Sequence, residues 1–202
     1  MSGEGVVLFD IDGGLADMSA VTDELGPKPW RRDVWQQFFA RLGEATVFDA
    51  GRDLVAATAA LGFTVIYSTT RPDFTIPATR SWLAAAGLPP AAAVFSRPNK
   101  AGTQAALEVK LQHCWIVDRR LRDGYLAAFV DDEPDIVTEL RRHGYAGRRF
   151  ERLHGCDPVD LHAALVFGPG RREFTERKHL REARIAHRTP FTAPLDLASA
   201  AR

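Results

Sequence analysis

Two aspartates stand one residue apart where an apolar run ends: VVLFDIDGG carries Asp10 and Asp12, with Gly13 and Gly14 behind them. Two more, Asp131 and Asp132, close a second apolar run, LAAFVDD. A third run, FTVIYS, leads into Thr69-Thr70-Arg71-Pro72, and Lys110 lies between these points along the chain. Each feature alone has an ordinary explanation, because Asp and Gly are common turn residues after a strand. Together they make a different kind of site. Mg²⁺ takes a few carboxylates plus water and substrate phosphate oxygens. A phosphate takes a hydroxyl, free backbone N–H groups and a cationic side chain. The set therefore suits a divalent cation and a phosphate held side by side.

Such a set needs elements that bring distant residues to one place. The runs VVLF (6–9), FTVIYS (63–68), AAVFS (92–96) and LAAFV (126–130) are too short for helices and are rich in β-branched or aromatic residues, so they predict strands. Between them lie stretches of helical length. RDLVAATAALG (52–62) ends at Gly62, SWLAAAGLPP (81–90) carries Gly87 with prolines beyond, and EPDIVTELRRHG (133–144) stops at Gly144. In TQAALEVKLQHCWIVDRRL (103–121), Leu107, Leu111, Cys114 and Leu121 fall on roughly one face. Alternating strands and helices predict a doubly wound α/β fold, a parallel sheet covered on both faces. In such sheets ligands bind beyond the C-terminal strand ends. Asp10, Asp12, Thr69 to Pro72, Asp131 and Asp132 all follow strands, and Lys110 falls in the helical stretch 103–121.

The 202 residues are enough for one domain with a good core, and 46% hydrophobic with 26% charged is ordinary for a soluble globular chain. Net charge is zero, so nothing global selects nucleic acid or membrane as a partner. Only four basic residues are lysines (Lys28, Lys100, Lys110 and Lys178), a bias that goes with the abundant Ala as a matter of composition. Cys114 and Cys156 form no disulfide framework; Cys114 reads as core and Cys156 as a loop residue. The start MSGEGVVLFD has no basic region or long apolar stretch, and no segment reaches the length needed to span a bilayer, which predicts a cytoplasmic protein. A helix is predicted over DPVDLHAALVF (157–167), then GPG breaks the chain. The stretch 171–188 holds seven basic residues against three acidic ones. It reads either as a solvated helix or as a contact for nucleic acid or another partner. These features divide the chain into a domain over 1–155 and a C-terminal extension over 156–202.

The order Asp10-x-Asp12-Gly13, Thr69, Lys110, Asp131-Asp132 resembles the four motifs of the haloacid dehalogenase superfamily of phosphatases. A closer resemblance is to the 3′-phosphatase domain of phage-type polynucleotide kinases and its bacterial stand-alone relatives. It covers about residues 5 to 150 and includes LFDIDGGLAD, KPW, WQQFF, TTRP, SWLAAAGLP, SRP, VK and VDDEPDIV. It implies a Rossmann-like sheet with the first strand between the second and the fourth, and with little or no cap. It also implies roles. Asp10 would be the nucleophile that takes the phosphoryl group, and Asp12 the acid that protonates the leaving oxygen and then activates water. Mg²⁺ would sit on Asp10, the backbone carbonyl of Asp12 and Asp132, with Asp131 in support. Thr69, Thr70 and Arg71 would bind the phosphate, and Lys110 would offset the negative charge gathered there.

Phosphate monoesters are among the slowest substrates in water, with enzymatic accelerations up to ~10²¹-fold, so bringing carboxylate against phosphate demands such neutralisation. Two residues depart from the family pattern: Gly14 stands where Thr or Val is usual, and Thr70 where Gly is usual. The intervals between motifs hold no large cap, and an open site admits a bulky or polymeric phosphate, such as a nucleotide or nucleic-acid end. Trp30, Trp35, Phe38 and Phe39 follow the first motif and read as core rather than as a stacking platform. Other readings are a phosphatase of a small metabolite, or a non-catalytic module that binds a partner through its Arg-rich segment. The chain has no GxxxxGK[ST] loop, so a kinase activity is not expected of it.

Overall fold

The computed structural model describes residues 5–26, 31–99, 105–120 and 125–167. The four predicted strands are β1 (Val6–Asp10), β4 (Thr64–Pro72), β5 (Ala93–Arg97) and β6 (Leu126–Asp131). A fifth, β7 (Gly147–Arg149), joins one edge. All pair in parallel in the order β5-β4-β1-β6-β7, so β1 lies between β4 and β6. Every residue of β1 and β6 is buried, which is why those runs are apolar without alternation.

Side-chain direction still alternates, and it sorts the core into two layers. On one face Val7, Phe9, Val65 and Tyr67 pack with α3 (Asp49–Ala60), α4 (Ile76–Ala85), α7 (Phe150–Leu153) and α8 (Pro158–Phe167). On the other, Val6, Leu8, Ile66 and Phe129 pack with α5 (Ala106–Arg120) and α6 (Pro134–Arg142). Cys114 lies in this second layer. Leu107 and Leu111 pack against it, whereas Leu121 lies outside the described residues. Helix α8 follows residue 155, and its Leu161, Leu165 and Val166 are buried in the first layer. The Arg-rich stretch 171–188 lies outside the described residues.

Several elements differ from the sequence reading. Helix α4 starts at Ile76, ahead of the expected Ser81, with Pro77 in its first turn, where the missing N–H costs nothing. Two-residue strands β2 (Ala16–Asp17) and β3 (Thr46–Val47) form a small antiparallel pair too short to leave a pattern. Between them sit α1 (Ser19–Leu25) and α2 (Arg32–Ala40), a small helical insertion around Met18, Val21 and Leu42. Trp35, Phe38 and Phe39 belong to α2, which buries no residue completely. They are half-buried, with Trp35 stacked on Phe39, Phe38 edge-on to both, and Phe39 5.6 Å from the exposed ring of Phe74. They are thus not part of either main layer; Trp30 lies outside the described residues. No described helix is long and apolar enough to cross a membrane.

Candidate active site

Three adjacent parallel strands end together. Asp10 ends β1 in register with Ser68 of β4, and Phe9 is in register with Val130 of β6. Asp10, Thr69 and the Asp131–Asp132 pair therefore meet at one edge, although more than a hundred residues separate the first from the last. Lys110 reaches in from α5. Its Nζ lies 3.0 Å from Asp10 Oδ2 and 2.8 Å from Asp131 Oδ2, and the lysine is 1% exposed.

Burial shapes the ionisation here. It pushes the Asp10 carboxyl well above the usual carboxylate range; Lys110 opposes that push, while Asp131 and Asp12 add to it. Burial alone would pull the Lys110 ammonium down. The charges of Asp10 and Asp131 override it and hold Lys110 above its ordinary value, as a cation. Asp132 is pushed up to about 6 by burial and by the neighbouring Asp131.

The carboxylates of Asp10, Asp131 and Asp132 offer oxygens within 4.8 Å of one another. Asp131 is already engaged: Oδ1 accepts the Glu133 N–H at 2.9 Å and Oδ2 accepts from Lys110. Asp132 differs, because its Oδ1 is buried without a hydrogen-bond partner. An orphaned carboxylate oxygen in such a cluster is the donor a hard divalent cation completes, so these residues fit Mg²⁺.

The loop after β1 is built around this cluster. Gly13 has φ +86°, and a Cβ there would come within 2.2 Å of Asp132 Oδ2. Only glycine lets the backbone lie against that carboxylate. Gly14 has another reason: its Cβ would stand 3.1 Å from Cδ2 of the buried Phe150 ring. From the far side, Gly51 of α3 lets the Gly14 carbonyl approach to 2.5 Å of where a Cβ would be. The glycine that departs from the family pattern is packed between Phe150 and α3.

Asp12 is held by Arg71. The guanidinium Nη2 donates to Oδ1 at 2.6 Å and Nε to Oδ2 at 3.0 Å, while Thr69 Oγ1 donates to Oδ2 at 3.2 Å. Arg71 is 2% exposed, and its Nη1 donates to Thr79 Oγ1. The sequence reading assigned Arg71 to substrate; in the structure its guanidinium is turned to Asp12. Thr69 is buried and its hydroxyl also accepts the Arg71 N–H at 3.1 Å, and Thr70 is half-buried beside it. Ser68, Thr79, His113 and Phe150 were not read from the sequence as site residues. The one available signal was His113 standing three residues after Lys110, which puts both on one helix face.

No protein-family model matches the chain, and no curated protein matches it significantly. Solved structures do. A chain of a Pnkp1/Rnl/Hen1 complex superposes with TM-score 0.57 at 15% identity, covering 74% of this chain and 46% of that one. The Pnkp1/Rnl/Hen1 RNA repair complex gives 0.56 at 14%, covering 71% and 41%. The class C acid phosphatase from Bacillus anthracis, with tungstate bound, gives 0.51 at 14%, covering 95% and 82%. The fold is haloacid dehalogenase-like. At these identities the likeness concerns the fold alone, and the chain spans less than half the length of the two complex chains.

Proposed function

We propose that the chain is a phosphomonoesterase that works through an aspartyl-phosphate on Asp10. The observation that carries this reading is Lys110, buried between Asp10 and Asp131 with the orphaned Asp132 oxygen beside them. That the fold is shared with an acid phosphatase supports phosphoester hydrolysis in general.

Asp10 Oδ attacks phosphorus and the P–O bond to the leaving group breaks. Asp12 gives its proton to the departing oxygen. Water then attacks phosphorus, Asp12 takes back a proton, the P–O bond to Asp10 breaks and inorganic phosphate leaves. In the resting structure Arg71 donates to both Asp12 oxygens and Thr69 donates to Oδ2; when Asp12 carries its proton, one oxygen turns to the leaving group while Arg71 holds the other. Lys110 keeps the nucleophile's negative charge tolerable in a buried site. Asp10, Asp132, the backbone carbonyl of Asp12 and, in support, Asp131 would hold Mg²⁺. When bound, the ion supplies charge neutralisation for the phosphate and the attacking carboxylate.

The substrate class is a nucleotide or nucleic-acid 3′-phosphate. The small insertion between β2 and β3 supports it, because it is no large cap. Phosphate release with Mg²⁺, with EDTA as control, tests the reading on p-nitrophenyl phosphate and a 3′-nucleotide. Asp10→Asn keeps the shape and removes the attacking charge, so turnover is expected to fall by several orders of magnitude. Equal background release by wild type and Asp10→Asn would leave the chain a non-catalytic binding module. Release without preference for the 3′-nucleotide would move the substrate to a small metabolite.

A further inference from the structure

His113 is a buried imidazole that the proposed reaction leaves unused. It lies on α5 one turn after Lys110 and is 2% exposed. Both ring nitrogens are engaged: Nδ1 lies 2.8 Å from Ser68 Oγ, and Nε2 lies 3.1 Å from the Ser96 carbonyl oxygen. A carbonyl can only accept, so Nε2 carries the ring proton and Nδ1 accepts from the Ser68 hydroxyl. The ring also packs 5.4 Å from that of Phe95. Ser96 is fixed in turn by a hydrogen bond from its hydroxyl to Asp73.

Ser68 is a junction. It pairs with Asp10 in the β1–β4 register, its carbonyl accepts the Ile11 N–H at 3.1 Å, and the next residue is Thr69. Its hydroxyl thus joins α5 to the backbone that carries both Asp10 and Asp12. The buried Cys114 and Val117, with Leu107 and Leu111 beside them, press α5 onto the sheet. Such apolar contacts are non-directional, and directional hydrogen bonds add to them in fixing where along its axis the helix rests. A slide of one residue moves a helix by about 1.5 Å, enough to break hydrogen bonds at 2.8 and 3.0 Å. The hydrogen bonds of His113 are directional and oppose that slide.

We infer that His113 is a positioning residue: through Ser68 and Ser96 it locks α5 to β4 and β5 and so sets Lys110 between Asp10 and Asp131. Its kinetic consequence rests on the phosphatase reading, but the placement of Lys110 is measurable without turnover.

The chain has four lysines, so ¹³C-lysine labelling gives few Cε resonances, and Lys110→Arg identifies the one that matters. Ser68→Ala and His113→Leu are compared with His113→Asn, which keeps an acceptor near Nδ1, and His113→Gln, which keeps a donor near Nε2. In Ser68→Ala and His113→Leu the Lys110 resonance is expected to move toward that of an exposed lysine. Misplacement on this scale costs about a hundred-fold in kcat on p-nitrophenyl phosphate with Mg²⁺, with KM unchanged. His113→Asn is expected to recover more of kcat than His113→Gln, since it keeps the tie to Ser68. An unmoved Lys110 resonance and unchanged kcat in folded Ser68→Ala and His113→Leu would overturn the inference. If His113→Leu does not fold, Ser68→Ala decides alone, since it loses one hydroxyl. A wild type that releases no phosphate, with a resonance that moves in the variants, sinks the phosphatase reading and keeps the positioning role. An active wild type whose resonance stays put in the variants does the reverse.

Discussion

Arg71 grips Asp12 by both carboxylate oxygens, at 2.6 and 3.0 Å, from a position almost closed to solvent. This two-point hold leaves Asp12 little rotational freedom, at the residue whose proposed task is to deliver a proton along one line.

Arg71→Lys tests the consequence. An ammonium is a point donor and cannot reproduce a planar fork on a carboxylate. Hydrolysis of sugar or alkyl phosphates, which need a proton on the leaving oxygen, is expected to fall by about a hundred-fold, at the lower end of what positioned acid catalysis contributes. p-Nitrophenyl phosphate, whose leaving group needs little protonation, is expected to lose far less. Steady-state rates on the two substrate types check it, and an equal loss on both removes the assignment of Asp12 as acid.

The neighbouring aspartates of the last motif are expected to affect stability in opposite directions. Without metal at pH 8, Asp132 is a half-buried charge whose folded value, about 6, stands above its ordinary 3.8. Between pH 3.8 and about 6 the folded chain holds this proton while the unfolded chain has lost it, so stability falls across that window and the full penalty is in place above it; Asp132→Asn is expected to raise Tm in EDTA. Asp131→Asn removes a buried partner of Lys110 and is expected to lower Tm. In calorimetry, Asp132→Asn should also weaken Mg²⁺ binding strongly. Unchanged Mg²⁺ affinity in that variant would transfer the ligand role to Asp131.

Gly14→Thr restores the residue usual in the family, and from the sequence alone its activity would be expected to hold or improve. The Phe150 ring stands 3.1 Å from the new Cβ and must give by a few tenths of an ångström, so a cost in stability is expected beside that activity. Overpacking of this kind costs about 1–3 kcal/mol, which denaturant unfolding can read. Phe150→Leu in the same chain is expected to recover part of it. A double variant no more stable than Gly14→Thr would mean that the two sites do not meet.

His113 also leaves a signature in the pH dependence of folding. Burial, with Lys110 adding, pulls its value down from 6.5 to about 4 against the opposing pull of the Ser96 carbonyl and Asp73. An unfolded histidine binds its proton at the ordinary value, so between pH 6.5 and 4 the unfolded chain holds more protons. Stability from this group is complete above pH 6.5, falls as pH drops through that window and levels off below it. The full swing is about 3 kcal/mol. His113→Gln, which cannot titrate, should flatten that part of the curve; an unchanged slope would place the proton uptake elsewhere.

The alternation of apolar runs with helix-length stretches was enough to determine a parallel sheet, because a strand buried on both faces must be apolar throughout. The polar residues that end those runs were legible for the same reason: chain direction in a parallel sheet sends every C-terminal end to one edge. Asp10, Asp12, Thr69, Asp131 and Asp132 could thus be named from order and type, and Lys110, which ends no strand, from the resemblance in motif order. Other features depended on contacts between residues far apart in sequence. That Arg71 faces Asp12, that Gly14 makes room for Phe150, and that His113 ties α5 to Ser68 are facts of packing. Their local sequences look like any other Arg, Gly or His in their elements. The short β2, β3 and β7 carry no pattern because two or three residues cannot show a period, and only their pairing partners make them strands. Motif order selects the chemistry that could occur, whereas the packed neighbours of each side chain decide how it is held.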